Sequence, residues 1–177
     1  LFVICVVSGG VLGLVYNATK DPIAAAENAK KTEAIKNVLP EFQELKDINV
    51  KSAMEDVELP FHLAYDANGN FIGAAVETFT NKGFSGNISL MVGILADGTV
   101  NNISVLQHAE TPGLGSKMSE PSFKDQFNNK HADSFNFNVK KDGGDVDAIT
   151  AATISSRAFC DAVNRAISTF ENNKGGF

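Results

Sequence analysis

Cysteine is nearly absent from this chain of 177 residues: Cys5 and Cys160 are its two thiols. Two are too few for a disulfide framework. Cys5 stands in an apolar run and Cys160 in the last helical stretch, so no bond between them is expected. The count leaves the redox compartment open. There is no Cys-x-x-Cys and no His/Cys cluster, which argues against a zinc or iron–sulfur centre. The histidines, His62, His108 and His131, are scattered and read as surface or packing residues; only His108, beside a Thr-Pro-Gly loop, has a suggestive neighbour. No basic run stands out against a formal net charge of −6, so nucleic acid is not an expected partner. Repeats and low-complexity tracts are also missing. The Asn-x-Ser/Thr triplets at Asn17, Asn87 and Asn102 match a pattern that is common by chance.

What the chain does have is apolar content. At 44% hydrophobic it can bury one sizeable core, which implies one globular domain. Leu1 to Thr19 carries no charged residue. A membrane span needs about 20 mainly apolar residues, and a few residues preceding Leu1 would complete it. A cleaved signal peptide is the rival reading. Its small-residue site would have to be Ala24-Ala25-Ala26, which follows Lys20, Asp21 and Pro22 and leads into helical sequence. An uncleaved anchor is therefore expected. Gly9, Gly10 and Gly13 are small enough for another membrane helix to pack close, although membrane helices are Gly-rich in general. The trailing flank mixes Lys20, Lys30 and Lys31 with Asp21, Glu27 and Glu33, so charge bias sets no orientation.

The expected organisation is an anchor over 1–19, a helical stalk and connecting segment over 20–56, and a folded domain over 57–177. Ala24 to Leu39 reads as a helix stopped by Pro40, and Glu41 to Asp56 as a polar, irregular connection. From Val57 the period changes to two, with Phe61, Leu63 and Tyr65 alternating before the turn Asp66-Ala67-Asn68-Gly69. Strands are predicted over Phe71–Thr80, Ile88–Ala96 and Val100–Leu106, with a flexible loop at 81–86 and a tight turn at Asp97-Gly98. Glu120–Phe127 reads as a short helix and Phe135–Val139 as a last strand. The class is α+β: an antiparallel β-meander sheet packed with helices, preceded by one N-terminal transmembrane helix.

Two stretches carry chemistry. After the fourth strand comes Glu110-Thr111-Pro112-Gly113-Leu114-Gly115-Ser116-Lys117. Its glycines permit positive φ and close backbone approach, and Thr111, Ser116 and Lys117 offer donors suited to phosphate or a carbonyl-rich ring. The ordinary reading is a strand-to-helix connection. The second stretch, Asp147-Ala148-Ile149-Thr150-Ala151-Ala152-Thr153-Ile154-Ser155-Ser156, runs into an amphipathic helix. From Ile154 its apolar face continues through Ala158, Phe159, Ala162, Val163, Ala166, Ile167 and Phe170, with Arg157, Asp161, Asn164, Arg165 and Ser168 on the other side. Its hydroxyls sit where free N–H groups and the helix dipole favour a phosphate. As residues alone they read equally as N-caps.

Together with Gly83-Phe84-Ser85-Gly86, these stretches resemble, in order, the FMN-binding domain family shared by RnfG and NqrC, membrane-anchored subunits of respiratory electron-transport complexes. The resemblance covers Val57 to Phe170. In that family the last motif reads Asp-x-x-Ser/Thr-Gly-Ala-Thr, and its final Thr carries FMN through a phosphoester. The resemblance implies that Thr153 is the flavinylated residue, with Asp147 the leading acid, Thr150 the first hydroxyl residue and Ala152 the family Ala. Ala151 stands where Gly is usual; Ala fits if φ there is negative, and a positive φ would impair modification. By the same resemblance Glu110, Thr111, Gly113, Leu114, Gly115, Ser116 and Lys117 accompany the flavin, and Ser85 and Gly86 close its other side. Catalytic residues and metal are not implied. The compact length resembles RnfG more than NqrC, whose chains carry inserted sequence.

The implied role is electron relay within an ion-translocating ferredoxin:NAD oxidoreductase (Rnf) complex, without independent turnover. The implied partners are its other membrane subunits and, during maturation, an FMN transferase using FAD. The implied location is the cytoplasmic membrane, single-pass, with the soluble domain on the extracytoplasmic side. Alternatives are an NqrC-like subunit of a sodium-translocating quinone reductase, a stand-alone membrane-anchored FMN-binding sensory module, or a periplasmic binding domain without flavin.

Overall fold

A computed structural model describes residues 2–177; Leu1, the first residue of the expected anchor, lies outside the described residues. The chain divides into two compact units, the first ending at Glu33 and the second running from Ala34 to Phe177. Helix α1 spans Phe2–Val38, so the expected anchor and stalk are one unbroken helix that passes through Pro22. Proline removes one backbone hydrogen bond and crowds the preceding turn, but the flanking Ala, Glu and Lys residues are strong helix formers. Most of its early apolar side chains, including Ile4, Leu12, Leu14 and Tyr16, face outward. By length and composition α1 is able to cross a membrane.

In the second unit, β1 (Glu44–Lys51), β2 (Glu58–Tyr65), β3 (Phe71–Gly83), β4 (Gly86–Leu95) and β5 (Val100–His108) form an antiparallel sheet in the order β1-β2-β3-β4-β5. The meander is as predicted, with one addition. The polar connection expected over Glu41–Asp56 contains β1, paired with β2 from Glu44↔Tyr65 to Lys51↔Glu58. Only Val50 of this strand is buried. An edge strand presenting charges to solvent resists pairing with other chains, and for the same reason its inward apolar alternation is short, limited to Ile48 and Val50. The predicted flexible loop at 81–86 also contracts. Strand β3 continues to Gly83, leaving Phe84 and Ser85 as a tight turn before β4.

The expected short helix is present as α2 (Pro121–Lys124), followed by a 3-10 turn at Asp125–Phe127. The predicted strand over Phe135–Val139 does not form; Val139 makes one isolated parallel bridge to Val146. Phe135 and Phe137 are held by rings instead. Phe137 stacks on Phe127 with centroids 6.1 Å apart, and Phe135 meets Phe137 edge-on at 5.0 Å. Apolar alternation there serves an aromatic cluster.

Helix α3 (Thr153–Asn173) covers one face of the sheet. Its Phe159, Val163, Ala166 and Phe170 form a core with Phe61, Leu63, Val76, Leu90 and Val92. The alternate strand residues Ala64, Ala75 and Met91 face the opposite way, as the pleat requires. They pack with Leu106 against Ala34, Ile35, Val38 and Leu39, so the end of α1 covers the second face. Gly93 permits this contact: a Cβ there would lie 1.9 Å from the Val38 carbonyl oxygen. The Nδ2 groups of Asn101 and Asn102 donate to the Val38 and Asn37 carbonyls at 2.8 and 3.0 Å, satisfying acceptors that a helix end leaves open.

Arg165 departs from the helical-wheel reading, which put it on the polar side of α3. It is 1% exposed. Cys160 is buried in the same helix, and burial pushes its thiol from 9.0 up to about 12. Because the folded value is the raised one, this group's stabilising contribution is complete below pH 9.0 and is lost as pH rises towards about 12. Two results are expected. In detergent at neutral pH a maleimide spares buried Cys160 until the domain is unfolded. The urea midpoint declines between pH 9.0 and about 12 in the wild type, and less so in Cys160→Ala. Rapid native labelling of Cys160, read by peptide mass spectrometry, would contradict its enclosure.

Candidate functional site

Three segments distant in sequence meet beside the N-terminus of α3 and enclose a cleft of about 330 Å³. That is within the roughly 300–1,000 Å³ range usual for ligand pockets. The β3–β4 turn contributes Phe84. The loop after β5 contributes Glu110, Thr111, Leu114 and Gly115, and the entry to α3 contributes the residues from Ala151 to Ser155. The wall is mainly apolar. Phe84, Leu114 and Ile154 are 69%, 41% and 49% exposed, so bulky side chains stand around it without being covered.

Glu110 joins the three segments. It is 5% exposed, and its Oε1 accepts the Ser85 N–H at 3.0 Å while its Oε2 accepts the Ser155 hydroxyl at 2.5 Å. Its own N–H donates to His108 Nδ1 at 3.2 Å, which shows what His108 does beside the loop. Gly115 leaves the space the carboxylate occupies: a Cβ there would meet Glu110 Oε2 and Ser155 Oγ at 2.5 Å. Gly113 adopts φ 76°, a region open to glycine, and donates its N–H to Ser116 Oγ at 2.9 Å.

At the head of α3 the hydroxyls have separate fates. Ser156 Oγ accepts the Ile149 N–H at 2.9 Å and donates to the Ala152 carbonyl at 3.0 Å, closing the turn that precedes the helix. Ser155 is committed to Glu110. Thr150 is exposed and lies outside the cleft lining. Thr153 lines the cleft, is half-buried, and has no hydrogen-bond partner for its hydroxyl among the described residues. The N-cap residue is Ala152, with no side-chain cap. The capping role that Thr150, Ser155 or Ser156 were expected to fill is thus left empty, and the first N–H groups of α3 remain available for an anion.

The predicted site residues therefore separate in space. Glu110, Thr111, Leu114, Gly115, Ala151, Ala152 and Thr153 line the cleft. Gly113, Ser116, Lys117, Ser85, Gly86, Thr150 and Asp147 lie outside its lining. Ser85 and Ser116 act through hydrogen bonds that shape the turn and the loop. Asp147 accepts from Lys140 Nζ at 2.7 Å, and Gln126 clamps its backbone at both N–H (2.8 Å) and C=O (3.1 Å). Sequence reasoning misses Gln126, Phe84 and the part played by Ser155. A bulky apolar residue in a Gly-bounded turn is a signal that could have flagged Phe84; nothing local points to Gln126. Ile154, read as the start of the buried face, points to the cleft instead.

Ala151 adopts φ 62°, in the left-handed region, so the negative φ under which alanine was expected to stand in for the family Gly is not the one observed. For a residue with a Cβ this costs roughly 1–2 kcal/mol. Ala151→Gly is expected to raise unfolding stability by about 1 kcal/mol, allowing for the freedom glycine adds to the unfolded chain. Urea denaturation followed by circular dichroism checks it; an unchanged or lower midpoint would show that the Ala conformation is unstrained.

Residues 83–168 match the model of a family described as the FMN-binding domain. Among curated relatives, the G subunit of an ion-translocating oxidoreductase complex from Methanosarcina acetivorans is 34% identical, over 99% of this chain and 93% of the relative. This chain belongs to the RnfG family. The corresponding protein of Shewanella amazonensis is 36% identical, over 88% of this chain and 78% of the relative. The G subunit of the Na(+)-translocating ferredoxin:NAD(+) oxidoreductase complex of Acetobacterium woodii is 32% identical, over 97% and 89%. Two solved structures share the fold at 20% identity. They are NqrC of Shewanella oneidensis (TM-score 0.53, 82% of this chain and 73% of that one) and its counterpart in the Na(+)-translocating NADH-quinone reductase of Parabacteroides distasonis (TM-score 0.58, 80% of each). The family read from three motifs is thereby borne out. In this RnfG family member those motifs, well separated along the chain, are the three walls of one cleft.

Proposed function

We propose that this protein is a membrane-anchored electron-transfer subunit of an ion-translocating oxidoreductase complex, carrying FMN in phosphoester linkage to Thr153. The observation that carries the reading is the Thr153 hydroxyl. Of the hydroxyls at the head of α3 it alone both lines the cleft and is unengaged among the described residues. The residues present fit the group. Leu114, Ile154 and Phe84 offer apolar surface for a ring system, Ala151 and Ala152 add little bulk beside the hydroxyl, and the uncapped N–H groups of α3 suit a phosphate.

Thr153 is an acceptor once in the life of the chain. Its Oγ1 attacks the FMN-side phosphorus of FAD presented by a separate transferase. The Oγ1–P bond forms as the bridging P–O bond breaks, AMP leaves, and the hydroxyl proton passes to a base of the transferase. Bound FMN then supplies one- and two-electron transfer. The chain's own residues would hold the phosphate at the head of α3 and flank the ring with Phe84, Leu114 and Ile154. A tether keeps the cofactor in place where free FMN would diffuse away.

The exposed apolar stretch of α1 supports an anchor over 1–19; the FMN-binding domain expected over 57–177 shares its sheet and core with the residues from Ala34 onward, in one compact unit. We place that domain on the extracytoplasmic side, with the other membrane subunits of an Rnf-type complex as partners. Relatives named as subunits of such complexes support this assembly. Intact-protein mass spectrometry with peptide mapping, after coexpression with an FMN transferase, tests cofactor, residue and linkage together. An FMN increment on the peptide containing Thr153 is expected; its absence would overturn the reading. Copurification with multispanning subunits is the expected result for the complex, and isolation as a lone flavoprotein would favour a stand-alone module.

A further inference from the structure

Glu110 is a buried carboxylate without a counter-ion. Among the described residues no Lys or Arg pairs with it, and it is the only ionisable residue lining the cleft. Taking a charge out of water without an ionic partner is costly unless hydrogen bonds and dipoles replace the lost solvation. Here the compensation is visible. Both oxygens accept hydrogen bonds, from the Ser85 N–H and the Ser155 hydroxyl, which is the arrangement suited to an ionised carboxylate. Ser155 is in the first turn of the 21-residue helix α3, whose positive dipole end further favours an anion. His108 accepts the Glu110 N–H through Nδ1. The slot is cut to shape, since a Cβ at Gly83 or Gly115 would come within 2.8 or 2.5 Å of the carboxylate oxygens.

A simple structural tie between loop and helix could be made by a neutral amide. A carboxylate adds a fixed negative charge to the wall of a mainly apolar cleft, where weak screening lets it act over several ångströms. Resting on the flavin reading above, we propose that Glu110 is an electrostatic tuning residue. Its charge opposes the gain of electrons by a flavin in the cleft, holding the midpoint potential at a more negative value than the same cleft would give with a neutral side chain. Ser155 acts in the opposite sense, because its hydroxyl disperses part of that charge.

The test uses the full-length protein, coexpressed with the FMN transferase and purified in detergent, with spectroelectrochemical titration in mildly alkaline buffer. Glu110→Gln keeps the shape and removes the charge; its midpoint potential is expected to be more positive than that of the wild type. Ser155→Ala keeps the charge and removes the hydroxyl; its midpoint potential is expected to be more negative. Opposite displacements are the signature, because loosening of a merely structural tie would move both variants the same way. A potential unchanged in Glu110→Gln, or displaced in the same direction in both, would overturn the proposal. If Glu110→Gln does not fold, Ser155→Ala decides alone: a shift to more positive values, or none, would overturn it. Failure of the flavin reading is distinguished at the outset, since the wild type would then show no FMN increment in its intact mass.

Discussion

Thr153→Val is expected to eliminate covalent flavin completely while the domain stays folded. Valine keeps the branched shape of threonine at the first position of α3 and deletes the oxygen that would form the phosphoester. The Thr153 hydroxyl makes no hydrogen bond among the described residues, so its removal orphans no partner. The side chain is half-buried at the cleft surface, and the stability change should stay within about 0.5 kcal/mol. Intact-protein mass spectrometry is expected to show loss of the whole FMN increment, with unchanged far-ultraviolet circular dichroism. Thr153→Ser should retain flavin. Ser155 and Ser156 are not expected to substitute for Thr153 in the Val variant, because both are buried, at 2% and 0% exposed, and out of reach of a transferase. A full FMN increment surviving in Thr153→Val would sink the assignment.

Arg165→Ala is expected to cost about 3 kcal/mol of unfolding free energy, from the lost packing and the broken ion pair together. The guanidinium lies under the sheet with its carbon 4.9 Å from the Phe79 ring centroid and Nη2 2.6 Å from Glu55 Oε1. Asp161 Oδ2 is 3.6 Å away and is itself held by Thr80 Oγ1 at 2.7 Å, while Lys82 Nζ donates to Oδ1 at 2.6 Å. Burial pushes the Asp161 carboxyl upwards, but the hydrogen bonds from Lys82 and Thr80, with the charges of Lys82 and Arg165, outweigh it and hold the group below the ordinary carboxylate range. Arg165 thus ties α3 to β3 and to the segment after β1. Two comparisons separate charge from volume. Arg165→Lys should recover little, since an ammonium cannot stack on Phe79 as a planar guanidinium does. Arg165→Met, which fills the space without a buried charge, should recover much of the loss. Urea midpoints of the three variants decide it, and an Ala variant as stable as the wild type would remove Arg165 from the core account.

Arg165 also shows where reading along the chain stops. On a helical wheel it belongs with Arg157, Asp161 and Asn164, and Arg157 does stay outside, paired with Asp142 at 2.6 Å. What draws Arg165 inward is a phenyl ring and a carboxylate supplied from far back in the chain, at Phe79 and Glu55. Strand β1 was illegible for a related reason. Backbone pairing with β2 supplies most of its stabilisation, and the strand's inward apolar side chains are only Val50 and the partly buried Ile48, too short an alternation to announce a strand. Phe135 and Phe137 mislead in the other direction, with an alternating pattern that serves ring packing instead of a ladder.

The sequence by itself determined the periodic elements β2 to β5 and α3, the apolar helix, and the three motifs of the FMN-binding domain family, because periodicity, turn chemistry and motif spacing are written in near neighbours. Only the tertiary structure decided what each hydroxyl at the head of α3 is free to do. A hydroxyl becomes available or committed according to which acceptor lies within hydrogen-bond reach, and for Ser155 that acceptor is Glu110, 45 positions away. The same folding put Ala151 into the left-handed region, a torsion set by the turn that Ser156 closes and not by the identity of the residue.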